Sequence, residues 1–201
     1  MPVTILRSTG PSRDLALRAM FEARKQVFVD LLKWDVPVLG GRFEVDQFDD
    51  EHAAYLVLSD DEGRHLASAR LLPTTRPHIL DSLFPFLCAG PPPAGANCLE
   101  ITRFCLDRRL RAAERRALRD RLVLAIAHYA LDHGIRTYCG VAEFGWYQQI
   151  LAMGWRCRPL GYPRIVDGRT LGALEIEIDG ATLALLARHG IGTLEPLASA
   201  A

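Results

Sequence analysis

Residues 109 to 133 carry apolar side chains at Leu118, Leu122, Ala125, Ile126 and Tyr129, a 3.6-residue period that predicts a long helix. On either side lie strand-like runs, CLEITRFCL (98–106) and RTYCGVA (136–142). VTILRS (3–8) reads as an opening strand. AAYLVLS (53–59) and HLASARLL (65–72) form a hairpin around the polar turn DDEG. TLGALEIEID (170–179) is the last strand. Further helices are expected from Asp14 to Lys33, capped by Ser12 or Asp14, over 143–153, and as a short turn within PTTRPHILDSLFPFL. Residues 34–50 are irregular, broken by Pro37 and Gly40-Gly41, and CAGPPPAGAN is a connector. Strands separated by helices, with one hairpin, argue a mixed α/β sheet covered on both faces, in a single domain over 1–201.

The formal net charge is zero, so nothing global points to nucleic acid or a membrane surface. No apolar run is long enough to cross a bilayer, and the first twenty residues lack the apolar core of a signal peptide. The five cysteines include no C-x-x-C pair, which argues against zinc and against a disulfide framework. The expectation is a soluble, cytoplasmic, metal-free protein.

Charge falls where burial is expected. Leu17, Phe21, Arg24, Phe28 and Leu31 share one helical face, so Arg24 either snorkels to the rim or meets a carboxylate. The acidic run FEVDQFDDE lacks the ligand spacing of a calcium loop. In it Asp50 and Glu51 read as solvated. Glu44 and Asp46 are interleaved with Phe43, Val45 and Phe48, and Asp46 and Asp49 are candidates to hold a cation, whether Arg24 or a ligand. Strict alternation puts Arg70 with Leu66, Ser68 and Leu72. It puts Glu100 with Cys98, Thr102 and Phe104, and Arg103 on the opposite face with Leu99 and Ile101. Glu100 is either a structural ion-pair partner of Arg70 or Arg103, or chemistry. The arginines at the start of the long helix (Arg108, Arg109, Arg111, Arg115, Arg116) oppose the helix dipole and form either a solvated face or a docking surface.

The run RKQVF with Trp34, then EVDQFDDEHAAYLV, ARLLPTTRPH with LFPFL, LEITRF and finally GWRCRPLGYP, resembles the acyl-homoserine lactone synthases, the LuxI-type autoinducer synthases, from about residue 20 to 163. The resemblance implies a mostly antiparallel sheet flanked by helices, related to the Gcn5-type N-acyltransferase fold. It also implies acyl transfer from an acyl carrier protein, or from acyl-CoA, to the amine of S-adenosylmethionine. Lactonisation and release of methylthioadenosine would follow, with no cofactor. The family's functional positions match Arg24, Phe28, Trp34, Asp46, Asp49, Arg70, Glu100 and Arg103. Catalysis is expected at Glu100, Asp46 and Arg103. S-adenosylmethionine binding and scaffolding are expected of Arg24, Phe28, Trp34, Asp49 and Arg70.

An ordinary Glu, with pKa about 4.3, is a poor base for an amine near ~7.8, so Glu100 is expected to work through water or with a raised pKa. Ala142 stands where members preferring 3-oxo chains carry a hydroxyl, which favours an unsubstituted chain. Phe104, Trp146 and Met153 are candidate walls or ordinary core. Two rival readings remain. An acetyl-CoA-dependent N-acyltransferase lacks support because no R-x-x-G-x-G loop follows LEITRFCL. A binding-only relative is the other.

Overall fold

The computed structural model describes residues 3–7 and 14–192, so Ser12 lies outside the described residues. Among these residues ten strands and five α-helices follow in chain order: β1 Val3–Arg7, α1 Leu15–Arg24, β2 Val38–Leu39, β3 Phe43–Glu44, β4 Ala54–Ser59, β5 His65–Pro73, α2 Ile79–Ser82, β6 Cys98–Leu106, α3 Ala112–Asp132, β7 Thr137–Glu143, α4 Phe144–Leu151, β8 Arg156–Pro159, β9 Arg164–Val166, β10 Arg169–Glu177 and α5 Thr182–Arg188. The hairpin, the long helix and the flanking strands match the sequence reading to within three residues. The short strands β8 and β9, helix α5 and the two-residue strands β2 and β3 within the stretch read as irregular were not foreseen, because runs such as RCRP carry no alternating pattern to mark them.

The main sheet runs β1-β4-β5-β6-β7-β10-β8, with β9 beside β10. Every pair is antiparallel except β6–β7, which α3 joins as a crossover. α3 covers one face, burying Leu118, Leu122 and Ile126 against Ala67, Ala69 and Leu71. α1 covers the other, with Leu17, Met20 and Phe21 against Tyr55, Val57 and Leu72. Full burial of such a side chain contributes ~2 kcal/mol, enough to hold both layers on the sheet. α1 starts at Asp14, whose Oδ1 accepts from the N–H groups of Ala16 and Leu17. No helix among the described residues is long and apolar enough to cross a membrane.

Three departures from regular geometry shape the site. After Arg24 the first helix widens into a π-helical segment, Lys25–Leu31. The longer turn breaks the 3.6-residue register, so Phe28 stays buried while Leu31, expected on the same face, is solvent-exposed.

The second departure is in β6. Ser68 pairs with Cys105 and Arg70 with Thr102, so Arg103 and Phe104 together oppose Ala69 alone. Arg103 takes a left-handed backbone conformation, φ 50°. This bulge reverses the alternation beyond Thr102. Arg103 therefore turns to the α1 side with Glu100 and Thr102, and Phe104 turns toward α3. The placement of Arg103 on the face of Leu99 and Ile101 is thereby corrected.

Third, β6 and β7 are paired only from Cys98–Thr137 to Glu100–Cys139. Both strands continue past that point, to Leu106 and Glu143, and diverge. Gly140 sits at the point of divergence. A Cβ built there falls 2.9 Å from the Ile101 carbonyl oxygen. Gly140→Ala is expected to destabilise the protein by about 1–3 kcal/mol, because backbone must shift to relieve the clash. Urea denaturation would check this.

Candidate active site

Six of the charged residues singled out in the sequence, Arg24, Glu44, Asp46, Asp49, Arg70 and Arg103, meet on the α1 side of the sheet and form a ring. Arg24 Nε donates to Glu44 Oε2 at 2.6 Å, and its two terminal nitrogens donate to both oxygens of Asp49 at 2.8 and 2.9 Å. Arg70 Nη1 lies 2.7 Å from Asp49 Oδ1 and 2.6 Å from Asp46 Oδ1. Arg103 Nη2 bridges Asp46 Oδ2 (2.7 Å) to Glu44 Oε1 (2.9 Å). The circuit Arg24–Glu44–Arg103–Asp46–Arg70–Asp49 thus closes on itself with alternating charge. Three guanidinium groups and three carboxylates leave it neutral.

Arg24 is 1% exposed and does not snorkel. Burial opposes its charge, but Asp49 and Glu44 hold its pKa above the ordinary arginine value. Burial likewise opposes ionisation of Asp49 and Asp46. Arg24 and Arg70 outweigh it at Asp49, and Arg70 and Arg103 at Asp46, so both acids lie below the usual carboxylate range. Tyr55 Oη and the Asp46 N–H also donate to Asp49, and Thr102 Oγ1 accepts from Arg70 Nε. Asp46 accepts from Phe48 N–H, twice from Arg70 and once from Arg103, which fills the four acceptor positions of a carboxylate.

Glu44, fully buried, is as much a member of the ring as the acids predicted for the site. Its signal in the sequence was its position between Phe43 and Val45. Asp50 and Glu51 stay outside the ring. Glu51 is exposed, and Asp50 lies 3.5 Å from Arg76 at the surface.

Glu100 is fully buried, and its partners are not the arginines expected for a structural pair. Its Oε2 accepts from the N–H of Ile79 at 2.8 Å and its Oε1 from the N–H of Leu80 at 3.0 Å. Both donors open α2, a helix of one turn, whose preceding residue His78 donates its N–H to Asp81 Oδ1. Arg70 and Arg103 are already committed to the ring, which leaves Glu100 to backbone amides. Burial raises its pKa to about 8, against the pull of those two N–H groups and of Arg70.

Arg103 is the most exposed arginine of the ring, with 9% of its side chain accessible. Phe28 and Trp34 stack on each other with centroids 4.7 Å apart, and the Arg103 guanidinium carbon lies 5.6 and 5.9 Å from their ring centres. The indole N–H of Trp34 donates to Glu143 Oε1 at 3.0 Å, and Arg169 binds the same carboxylate. Neither Glu143 nor Arg169 was singled out in the sequence, where each reads as an ordinary charge at a strand end.

On the α3 side of the diverging strands, Phe104 and Trp146 pack at 4.9 Å, while Ala142 and Met153 are buried in the same cluster. Among the basic residues at the start of α3, Arg108, Arg109, Arg111 and Arg116 are exposed. Arg109 binds the Asp107 carboxylate and Arg115 the Asp107 carbonyl oxygen. A cavity of about 200 Å³ lies beside them, away from the ring, lined by Asp60, Arg64, Leu66, Asp107, Arg109 and Glu114.

Comparison with known proteins gives this arrangement a family. A model of the family described as "Autoinducer synthase" matches residues 12–185. The chain belongs to the autoinducer synthases. It is an acyltransferase, an acyl-homoserine lactone synthase. The synthase is 32% identical to an acyl-homoserine-lactone synthase of Ralstonia nicotianae, over 93% of its own length and 94% of the relative's. It is 31% identical to an isovaleryl-homoserine lactone synthase of Bradyrhizobium diazoefficiens, over 85% of its own length and 76% of the relative's.

Among solved structures, the CoA-dependent acyl-homoserine lactone synthase BjaI, held with SAM and isopentyl-CoA, superposes with a TM-score of 0.83 at 28% identity. That match covers 96% of this chain and 90% of BjaI. A Lactobacillus plantarum protein assigned as an N-acetyltransferase shares the fold alone. It superposes with a TM-score of 0.57 at 18% identity, over 89% of this chain and 100% of the other. The synthase therefore has the acetyltransferase-like architecture that the resemblance implied.

Proposed function

We propose that this synthase transfers an unsubstituted acyl chain from an acyl carrier protein to the amine of S-adenosylmethionine, then closes the lactone and releases methylthioadenosine. The observation that carries this reading is Glu100, a carboxylate of raised pKa held by two backbone amides on the same face as the ion-pair ring. An ordinary Glu would have to draw a proton uphill by roughly 3.5 pKa units from an amine near ~7.8, at nearly ~5 kcal/mol. With its pKa raised to about 8, Glu100 is close to the amine in proton affinity, so the transfer is no longer uphill. The remaining cost is that only roughly a tenth of Glu100 is ionised at pH 7.

The ring acts as a rigid mount. Asp46, with its acceptor positions filled, braces Arg103, and Arg103 receives the carboxylate of S-adenosylmethionine. Phe28 and Trp34 offer aromatic faces to the sulfonium. Arg24, Asp49 and Arg70 hold the mount in place. After acylation, the substrate's carboxylate oxygen attacks its γ-carbon and expels methylthioadenosine, a step that depends on how the ligand is folded against these walls. S-adenosylmethionine is consumed as a substrate, and no resident cofactor takes part.

The divergence of β6 and β7 supports an acyl donor entering between them, with Phe104, Trp146 and Met153 walling the chain and Ala142 offering no hydroxyl to a 3-oxo group. The exposed Arg108, Arg111 and Arg116 suit an acidic carrier protein. Acyl-CoA is the second reading, favoured by the CoA dependence of the similar BjaI. Mass spectrometry of purified synthase with S-adenosylmethionine and acyl donors from C4 to C16, 3-oxo or not, carrier-bound or CoA-linked, tests both. Lactone from a carrier-bound, unsubstituted thioester alone is the expected result. Turnover with CoA thioesters alone replaces the donor, and no lactone from any donor refutes the reading.

A further inference from the structure

Trp34 lies on a segment outside any helix or strand, just beyond the π-helical segment, where Lys33 takes a left-handed conformation at φ 58°. Its own N–H donates to the Phe28 carbonyl oxygen at 2.8 Å. What ties it to the sheet comes from far along the chain. Arg169, the first residue of β10, donates from Nη2 to the carbonyl oxygens of Leu32 and Lys33, and from Nη1 to Glu143 Oε1. That same oxygen accepts the Trp34 indole N–H, and the Arg169 guanidinium carbon lies 6.0 Å from the Trp34 ring centre. One arginine and one glutamate thus hold both the backbone just ahead of Trp34, at Leu32 and Lys33, and the Trp34 indole itself.

Both side chains are about one-third exposed, Arg169 32% and Glu143 35%, and a pair so accessible adds little to global stability. Its consequence is local. Glu143 ends β7, one arm of the diverging strands, while Trp34 stacks on Phe28 beside Arg103. The clasp therefore fastens a wall next to the ring to the strand that borders the cleft.

We propose that Glu143 and Arg169 are positioning residues, which act through Trp34 to fix the indole as a wall of the S-adenosylmethionine pocket. The inference rests on the reading given under Proposed function. Without the clasp the indole is oriented only by its stacking on Phe28 and its contact with Arg103, and the ordering it loses must be restored when the substrate binds.

Titration calorimetry of S-adenosylmethionine into the purified protein tests this. Glu143→Ala and Arg169→Ala should each raise the dissociation constant about tenfold, the lower end of the worth of one charge-assisted hydrogen bond, with the melting temperature essentially unchanged. Glu143→Gln keeps an acceptor oxygen and should return the constant to within about twofold of the unaltered protein. Trp34→Phe keeps an aromatic ring to stack on Phe28 but removes the indole N–H. In that background Glu143→Ala should cost much less than it does alone.

Unchanged binding in Glu143→Ala overturns the clasp, and so do effects of Glu143→Ala and Trp34→Phe that simply add. An unaltered protein that neither binds S-adenosylmethionine nor makes lactone overturns the underlying reading, and the clasp with it.

Discussion

Replacing Glu100 with Gln is expected to lower turnover by about 10²- to 10⁴-fold, the usual contribution of a positioned general base, while leaving the protein folded. Gln keeps the shape, and its side-chain oxygen still accepts from one of the two α2 amides. The pH dependence separates this from a structural effect. In the unaltered protein the rate should rise with pH toward a plateau above about 8, as Glu100 ionises. That rise should shrink in the variant, where only the substrate amine titrates.

Stability should respond in the opposite sense. The carboxyl is raised from 4.5 to about 8, so between these values the folded chain holds a proton that the unfolded chain has released. This contribution favours folding below about pH 4.5 and is lost as pH rises to 8. Gln cannot titrate. The melting temperature of the unaltered protein should therefore fall relative to that of Glu100→Gln across this window. Parallel melting curves, together with unaltered turnover, would remove Glu100 from the mechanism.

The largest loss of stability is expected at Arg24. Arg24→Met preserves much of the volume but leaves Asp49 and Glu44 buried without one of their cations. Breaking a buried pair from one side typically costs about 3–5 kcal/mol, because the abandoned charge cannot regain water. For a chain of this size that is a fall in melting temperature of about 10 °C. The remaining arginines soften the loss, since Arg70 still holds Asp49 and Arg103 still holds Glu44. Differential scanning calorimetry at neutral pH would show it. A shift of a degree or less would mean that the ring tolerates an open link.

Much of the site was legible because charge in an apolar pattern is costly and needs a reason. Arg24 at a core-facing position of α1, Arg70 within an apolar strand and Glu100 in a strand of β-branched and aromatic neighbours each stood out before any partner was known. The partners did not. Alternation is a local rule, and it fails at a bulge, so Arg103 could be placed with Glu44 and Asp46 only once Ala69 was seen to face two residues of β6. The π-helical turn hid in the same way, since a helical period read over a few residues cannot reveal one turn of different pitch. Glu143 and Arg169 left no mark at all, because their meeting with Trp34 joins residues 109 and more positions apart.

The order of the long strands and helices, the apolar faces of α1 and α3, and the set of charges that burial would force into pairs were determined by the sequence alone, because each follows from the period of neighbouring residues. Which arginine meets which acid, why Glu100 is left to two backbone amides, and how Trp34 is held were decided only by the tertiary structure. Those outcomes depend on where a bulge, a widened helical turn and two diverging strands bring distant side chains together in space.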